Sequence, residues 1–337
     1  MDSALPHLDK LRVLLCQLGD TIRNSVIAAR RSQTLEASAA VSHHTHADTI
    51  YAIDKVSESA LVSWFESHWP ADEPVEVVWE GVDETAPPCF PRGVPSEATK
   101  WKCLIDPIDG TRGIMYDKRS AWALAGLAPQ SGESTSLSDI FIAAMTEIPT
   151  TKQWRADQLS VVEGQGIVAE AVNVLDGTRT PFTIQPSKAT QFDHGFASFA
   201  KFFPEGRTLI AQIEEAIWDE LVGIGEHSSP TIFDDQYIST GGQFYEVLMG
   251  HDRLIADIRP LVYARLDLDS SLVCHPYDAC VWPILMEAGI VYEAPDGGFP
   301  DAPLDTTSPL AWILFANPQL AKLARPVIHR ALETLLQ

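Results

Sequence analysis

Trp101-Lys102-Cys103-Leu104-Ile105-Asp106-Pro107-Ile108-Asp109-Gly110-Thr111 is the stretch on which the reading of the chain turns. Residues 101–105 read as a buried strand, and the two carboxylates follow where a strand end and a glycine turn control the backbone tightly. Asp106 and Asp109 offer hard oxygen ligands for a divalent cation, and the Ile108 carbonyl offers another. Amides around Gly110 and Thr111, at the start of a helix, would face a phosphate. An acidic capping turn would use the same residue types, but the complete run is more specific than Asp-Gly alone.

Working outward, Leu8, Leu11, Leu15, Leu18, Ile22 and Val26 recur every three or four residues and put an apolar face on a long first helix. Residues 47–53 alternate imperfectly before Asp54, and Val56, Ala60, Leu61, Trp64 and Phe65 continue as a helix that Pro70 stops. Residues 75–80 read as a strand, and Pro87, Pro88, Pro91 and Pro95 force a break before the next one. Further strands are expected at 121–127, 140–148, 159–162 and 167–175, joined by turns and polar segments, which argues against a simple doubly wound sheet. After Pro186 the texture changes, so the chain divides into parts at 1–187 and 188–337. The second part opens with a helix at 209–221, then a long connection at 228–242, an apolar segment at 244–249 and a short helical pattern after Asp278. Leu320, Leu323, Val327, Ile328, Leu332 and Leu335 form a last amphipathic helix, which Pro326 could divide or restart.

The 337 residues carry 24 basic and 46 acidic side chains, a formal charge of −22 that disfavours a nucleic-acid polymer as partner. The length suggests about two domains of roughly 150 residues, and no stretch approaches the ~20 apolar residues of a membrane span. A cytoplasmic protein without a membrane partner is the expectation. Cys16, Cys89, Cys103, Cys274 and Cys280 are odd in number and dispersed, so they read as reduced structural thiols. His43, His44 and His46 cluster without a recognisable fourth ligand and read as a polar loop.

The run from Asp106 to Thr111 resembles the central motif of the inositol monophosphatase and fructose-1,6-bisphosphatase superfamily. The resemblance extends to the Asp54 region, the Val78-Trp79-Glu80 strand end, the Tyr277-Asp278 pair and Glu287-Ala288-Gly289, and so spans most of residues 8–320. It implies an α+β fold built as a layered α-β-α-β-α sandwich, with magnesium and substrate held between the two parts. It also implies a homodimer. By the same resemblance Glu80, Asp106, Ile108, Asp109 and Asp278 would hold two or three magnesium ions, and Asp54 with Thr111 would prepare the attacking water.

Some details depart from the family pattern. Trp79-Glu80-Gly81 stands where two adjacent glutamates are common, leaving Glu84 as a possible second acid. Arg112-Gly113 follows the motif threonine, and the stretch from Asp278 to Glu287 is about one residue shorter than usual and contains Pro283. On the substrate side, Gly110, Thr111, Arg112, Thr240, Gln243 and Arg259 are the candidate contacts, with Arg259 able either to meet a second phosphate or to hold an acidic neighbour. His275 stays outside the catalytic set, and Trp154, Phe192, Phe196 and Phe199 either cover substrate or pack in the core.

Together these residues point to a magnesium-dependent phosphomonoesterase for a small inositol or sugar phosphate. A phosphatase of 3′-phosphoadenosine 5′-phosphate or a related nucleotide, and a catalytically weak metabolite-binding regulator, are the alternatives.

Overall fold

The structure, a computed structural model, describes residues 5–32, 41–44, 49–225, 229–270 and 272–337. Helix α1 (Leu5–Ser32) is followed by a hairpin of β1 (Val41–His44) and β2 (Thr49–Tyr51), then by helix α2 (Ala52–His68). His43 and His44 fall on β1, and His46 lies outside the described residues. Next come β3 (Val75–Trp79), β4 (Cys89–Phe90), β5 (Trp101–Asp109), the short helix α3 (Thr111–Met115), and β6 (Ala121–Pro129), β7 (Ile142–Ile148), β8 (Arg155–Val162), β9 (Ile167–Asn173) and β10 (Arg179–Pro181).

These strands form an eight-stranded sheet in the order β10-β9-β8-β7-β6-β5-β3-β4. From β5 to β10 every pairing is antiparallel, while β3 lies parallel to β5. Both faces are covered, which is why β6 reads as an almost unbroken apolar run. Alternation along the strands sorts the side chains: Val77, Cys103 and Ile105 meet Leu15, Leu18 and Ile22 of α1 and Leu61 and Phe65 of α2, whereas Val78 and Leu104 belong to the core on the opposite face.

The rest of the chain runs β11 (Gly195–Phe199), α4 (Arg207–Val222), β12 (Ile232–Phe233), α5 (Thr240–Leu248), β13 (Asp252–Asp257), α6 (Arg259–Leu266), α7 (Pro276–Ala279), α8 (Trp282–Glu287), β14 (Val291–Glu293), β15 (Trp312–Phe315) and α9 (Pro318–Leu335). Its five-stranded sheet has the order β12-β11-β13-β15-β14. Helices α5, α7 and α8 lie between the two sheets, with α5 touching both β6 and β13, while α4 and α9 pack together on the far side. The architecture is the α-β-α-β-α sandwich expected. Phe244 of α5 shows how the middle is filled, its ring meeting Trp312 at 5.2 Å and Tyr292 at 5.8 Å. The approach is so close that a Cβ on Gly126 of β6 would lie 2.5 Å from the Cys280 carbonyl oxygen.

Three local expectations are corrected. Pro326 does not divide the last helix, which runs from Pro318 to Leu335 with Pro326 inside it. The connection expected at 228–242 ends early, because Ser239 accepts the Gly242 N–H at 2.9 Å and starts α5 at Thr240. The strand expected to stop at residue 105 continues to Asp109. Around Pro283, α7 and α8 are separate short helices, and Pro283 sits in the first turn of α8, where its missing N–H costs nothing. Among the described residues no helix is long and apolar enough to cross a membrane.

Candidate metal centre

Two residues three apart on a regular strand point to opposite faces. Asp106 and Asp109 do not, because β5 carries a bulge between them: Asp106 pairs with Leu124 and Asp109 with Trp122, so the β5 side holds one residue more than the β6 side. Pro107 sits in this interval and has no N–H to give to a ladder. The two carboxylates are thereby turned to the same side, toward α5 and α7. Asp278, from α7, joins them, and one oxygen from each of Asp106, Asp109 and Asp278 lies within 4.8 Å of the others.

Backbone and hydroxyl groups fix each acid. Asp106 Oδ1 accepts the Ile108 N–H at 2.9 Å. Asp109 accepts the Ser239 hydroxyl at 2.8 Å and the N–H groups of Thr240 and Gly241 at 3.1 and 2.5 Å, so it holds the first turn of α5 in place. A carboxylate offers about four lone-pair directions, which leaves Asp109 capacity for a cation. Asp278 accepts the His275 backbone N–H at 2.7 Å. The Thr111 hydroxyl donates to the Ile108 carbonyl at 2.8 Å, tying both ends of the turn together.

Electrostatics explain what the cluster needs. Burial, and then the charges of Glu80, Asp109 and Asp278, push the Asp106 carboxyl well above the ordinary carboxylate range. Burial pushes Asp109 up to about 6 even though three hydrogen bonds pull the other way. Carboxylates crowded in this way are relieved by a positive charge, and their hard oxygens suit magnesium. Cys274 borders the same cavity, but burial foremost, with Asp278 and Asp257 adding, drives its thiol upward, so it remains protonated and a poor ligand.

The cavity beside the acids is bordered by Glu80, Ile108, Gly110, Thr111, Arg112, Thr240 and Arg259 among the residues singled out from sequence. Gln243 lies on α5, buried, away from that lining. Asp54 falls in the first turn of α2, but its side chain lies outside the described residues. Glu84 is turned away as well, its carboxylate accepting the Thr306 N–H at 2.7 Å. Arg259 holds its acidic neighbour: Nε and Nη2 reach the two oxygens of Asp257 at 2.8 and 2.5 Å, and Nη1 donates to the Leu272 carbonyl at 2.7 Å. Arg265 is on the surface, donating to the Gln337 carbonyl at 3.1 Å.

Sequence reasoning missed the aromatic wall. Phe192 and Phe199 are core residues, Trp154 and Phe196 are exposed elsewhere, and the cavity is lined instead by Phe202 and Phe203, packed edge to face at 5.0 Å. Arg259 lies over Phe202 at 4.3 Å and Arg112 over Phe203 at 5.5 Å. The adjacent Phe202-Phe203 pair before Pro204 was the available signal.

Gly110 is the one position here whose backbone demands glycine. Its φ is +96°, and an added Cβ would stand 3.0 Å from the Ser239 Cβ and 3.3 Å from the Ile238 carbonyl oxygen. Gly110→Ala should therefore cost about 1–3 kcal/mol of unfolding free energy; urea denaturation with an unchanged midpoint would contradict this.

No protein-family model matches the chain, and no curated protein matches it in sequence. Solved structures do. The extragenic suppressor protein SuhB from Bartonella henselae superposes with a TM-score of 0.63 at 14% identity, over 96% of this chain and 98% of that one. Fructose-1,6-bisphosphatase from Leishmania major gives 0.62 at 10% identity, over 95% of this chain and 93% of that one. Inositol monophosphatase from Anabaena gives 0.59 at 14% identity, over 98% and 97%. Likeness at such low identity is a statement about fold.

Proposed function

From the fold that the chain shares with the inositol monophosphatases and fructose-1,6-bisphosphatases, we propose that it is a magnesium-dependent phosphomonoesterase acting on a small inositol or sugar phosphate. The observation that carries this reading is the convergence of Asp106, Asp109 and Asp278 beside a cavity with Thr111 and Arg112 on its border. Asp106, Asp109 and Asp278, with Glu80 and the Ile108 carbonyl, would hold two or three ions. Divalent cations bound there supply the charge that phosphate oxygens require, activate water and stabilise the departing alkoxide.

The chain's own groups do the rest. Arg112 and the amides at Gly110 and Thr111 hold the phosphate in line. Thr111 and Asp54 orient the attacking water and take its proton. Thr240 offers a hydroxyl to the leaving group, and Arg259, held by Asp257, keeps the Phe202 side of the cavity in place. With the division at residue 188, Asp106 and Asp109 come from one part and Asp278 from the other, so the site is complete only when both are in place. The same reading includes a cytoplasmic homodimer, which solution mass would check.

A nucleotide 3′-phosphatase is the second reading, favoured by the Phe202-Phe203 wall, whose rings suit a base better than a polyol. Released phosphate measured over inositol, sugar and nucleotide monophosphates at several magnesium concentrations tests both. Magnesium-dependent release from a polyol phosphate supports the first, and preference for the nucleotide supports the second. Magnesium or ligand binding without release from any of them would leave a metabolite-binding regulator and overturn both.

A further inference from the structure

The segment after β3 makes two tight turns, Val82 N–H to the Trp79 carbonyl at 3.0 Å and Ala86 N–H to the Asp83 carbonyl at 3.2 Å. Glu80 is at the start of this segment and borders the acidic cavity; Glu84 is four residues on, at its exposed tip. One oxygen of Glu84, Oε1, accepts both the backbone N–H of Thr306, at 2.7 Å, and the Thr306 hydroxyl. Thr306 is buried, and it stands in a turn that Asp305 closes by accepting the Ser308 N–H at 2.8 Å and the Ser308 hydroxyl at 2.6 Å. The Ser308 carbonyl then meets His275 Nδ1 at 3.0 Å, and because a carbonyl only accepts, Nδ1 carries the proton. His275 in turn donates its backbone N–H to Asp278 at 2.7 Å, and Leu310 N–H binds the Cys274 carbonyl at 2.8 Å.

These contacts form one continuous path from Glu80 to Asp278, two acids that face the same cavity from opposite parts of the chain. We propose that Glu84 is a positioning residue: its bond to Thr306 clasps the Glu80 segment to the 304–310 turn and so sets how far Glu80 stands from Asp278 when cations bind. The two places where the path could slip are the bonds on Glu84 Oε1. On the Asp278 side the bonds made by Ser308, His275 and Leu310 are part-buried or buried and each engages a backbone group, whereas Glu84 itself is exposed and held by nothing else described. Three of the acids already converge within 4.8 Å, while Glu80, whose backbone N–H binds the Ile105 carbonyl at 3.4 Å, stands outside that tight set, so the clasp bears on how its segment is set against Asp278. The inference rests on the metal-site reading above.

Magnesium binding by calorimetry on the full chain, with melting temperature recorded in metal-free buffer, tests it. Glu84→Ala and Thr306→Val should each weaken magnesium binding by about tenfold, as loss of a group that orients a ligand does. The double variant should be no weaker than the worse single one, because both break the same clasp. Glu84→Gln keeps Oε1 as acceptor for both bonds and should stay within about twofold of the parent. Equal harm from Gln and Ala would mean that the charge matters and not the clasp, and would overturn the proposal. So would additive losses, an unchanged affinity in Glu84→Ala, or an affinity loss that only follows a fall in metal-free melting temperature. If the parent binds no magnesium, the metal-site reading fails and this inference with it; if the parent binds and Glu84→Ala is unaffected, the inference alone fails.

Discussion

Asp106→Asn is expected to abolish magnesium-dependent phosphate release, with a loss of roughly 10³-fold or more, and at the same time to raise the melting temperature of the metal-free protein. The two effects have one cause. Asp106 is buried among Glu80, Asp109 and Asp278, whose charges add to burial in pushing its carboxyl up. A carboxyl whose pKa is raised by folding costs stability once the pH exceeds its unfolded value, so the gain from asparagine should grow as the pH rises above about 4 and vanish below it. The replacement fits locally, since its Oδ1 can still accept the Ile108 N–H and its amide can donate to a neighbouring carboxylate. Magnesium should raise the melting temperature of the parent and leave the variant nearly unmoved. Turnover at the parent's rate would remove Asp106 from the site, and a metal-free variant less stable than the parent would contradict the charge argument.

Arg259→Met should produce the largest loss of stability, about 3–5 kcal/mol, because it leaves Asp257 fully buried without a counter-charge. On the scale of a chain this long that is a fall of roughly 5–10 °C in melting temperature. The guanidinium also holds the Leu272 carbonyl and covers Phe202, so the aromatic side of the cavity should loosen as well. The companion variant, Asp257→Asn with Arg259→Met, removes both charges and should recover most of the lost stability. Denaturant unfolding of the three proteins measures this directly. A double variant as unstable as Arg259→Met would show that packing on Phe202, rather than the stranded carboxylate, sets the cost.

What sequence reading could reach was governed by distance along the chain. The acids at 106 and 109 were visible because their chemistry is written in adjacent residues, and α1 because Leu11, Leu15, Leu18 and Ile22 repeat its period. The five-layer arrangement was legible through resemblance, since no local pattern states which sheet a helix will cover. The extension of β5 to Asp109 was not, because a bulge depends on the partner strand and Pro107 alone reads as a stop. Phe202 and Phe203 were passed over for neighbouring aromatics because hydrophobicity does not distinguish a wall from a core. Glu84 reads from sequence as a possible second acid because its partner, Thr306, is 222 residues away. Pro326 misled by propensity, since the packing of Leu320, Ala324, Val327 and Ile328 carries α9 through it.

The bulge in β5 makes the site a matter of parity. Upstream of Pro107 odd positions look one way and even positions the other; downstream the assignment is exchanged, and Asp109 inherits the outlook of Asp106. Flattening the bulge with no change in the number of residues would restore the regular alternation and deliver Asp109 to the side of α1 and α2, against the apolar cluster of Ile105 and Ile108. The strand could keep its length, its partners and its composition and yet no longer assemble the acids. What the acids depend on at 106–109 is thus the place where the ladder takes up its extra residue, as much as which residues appear.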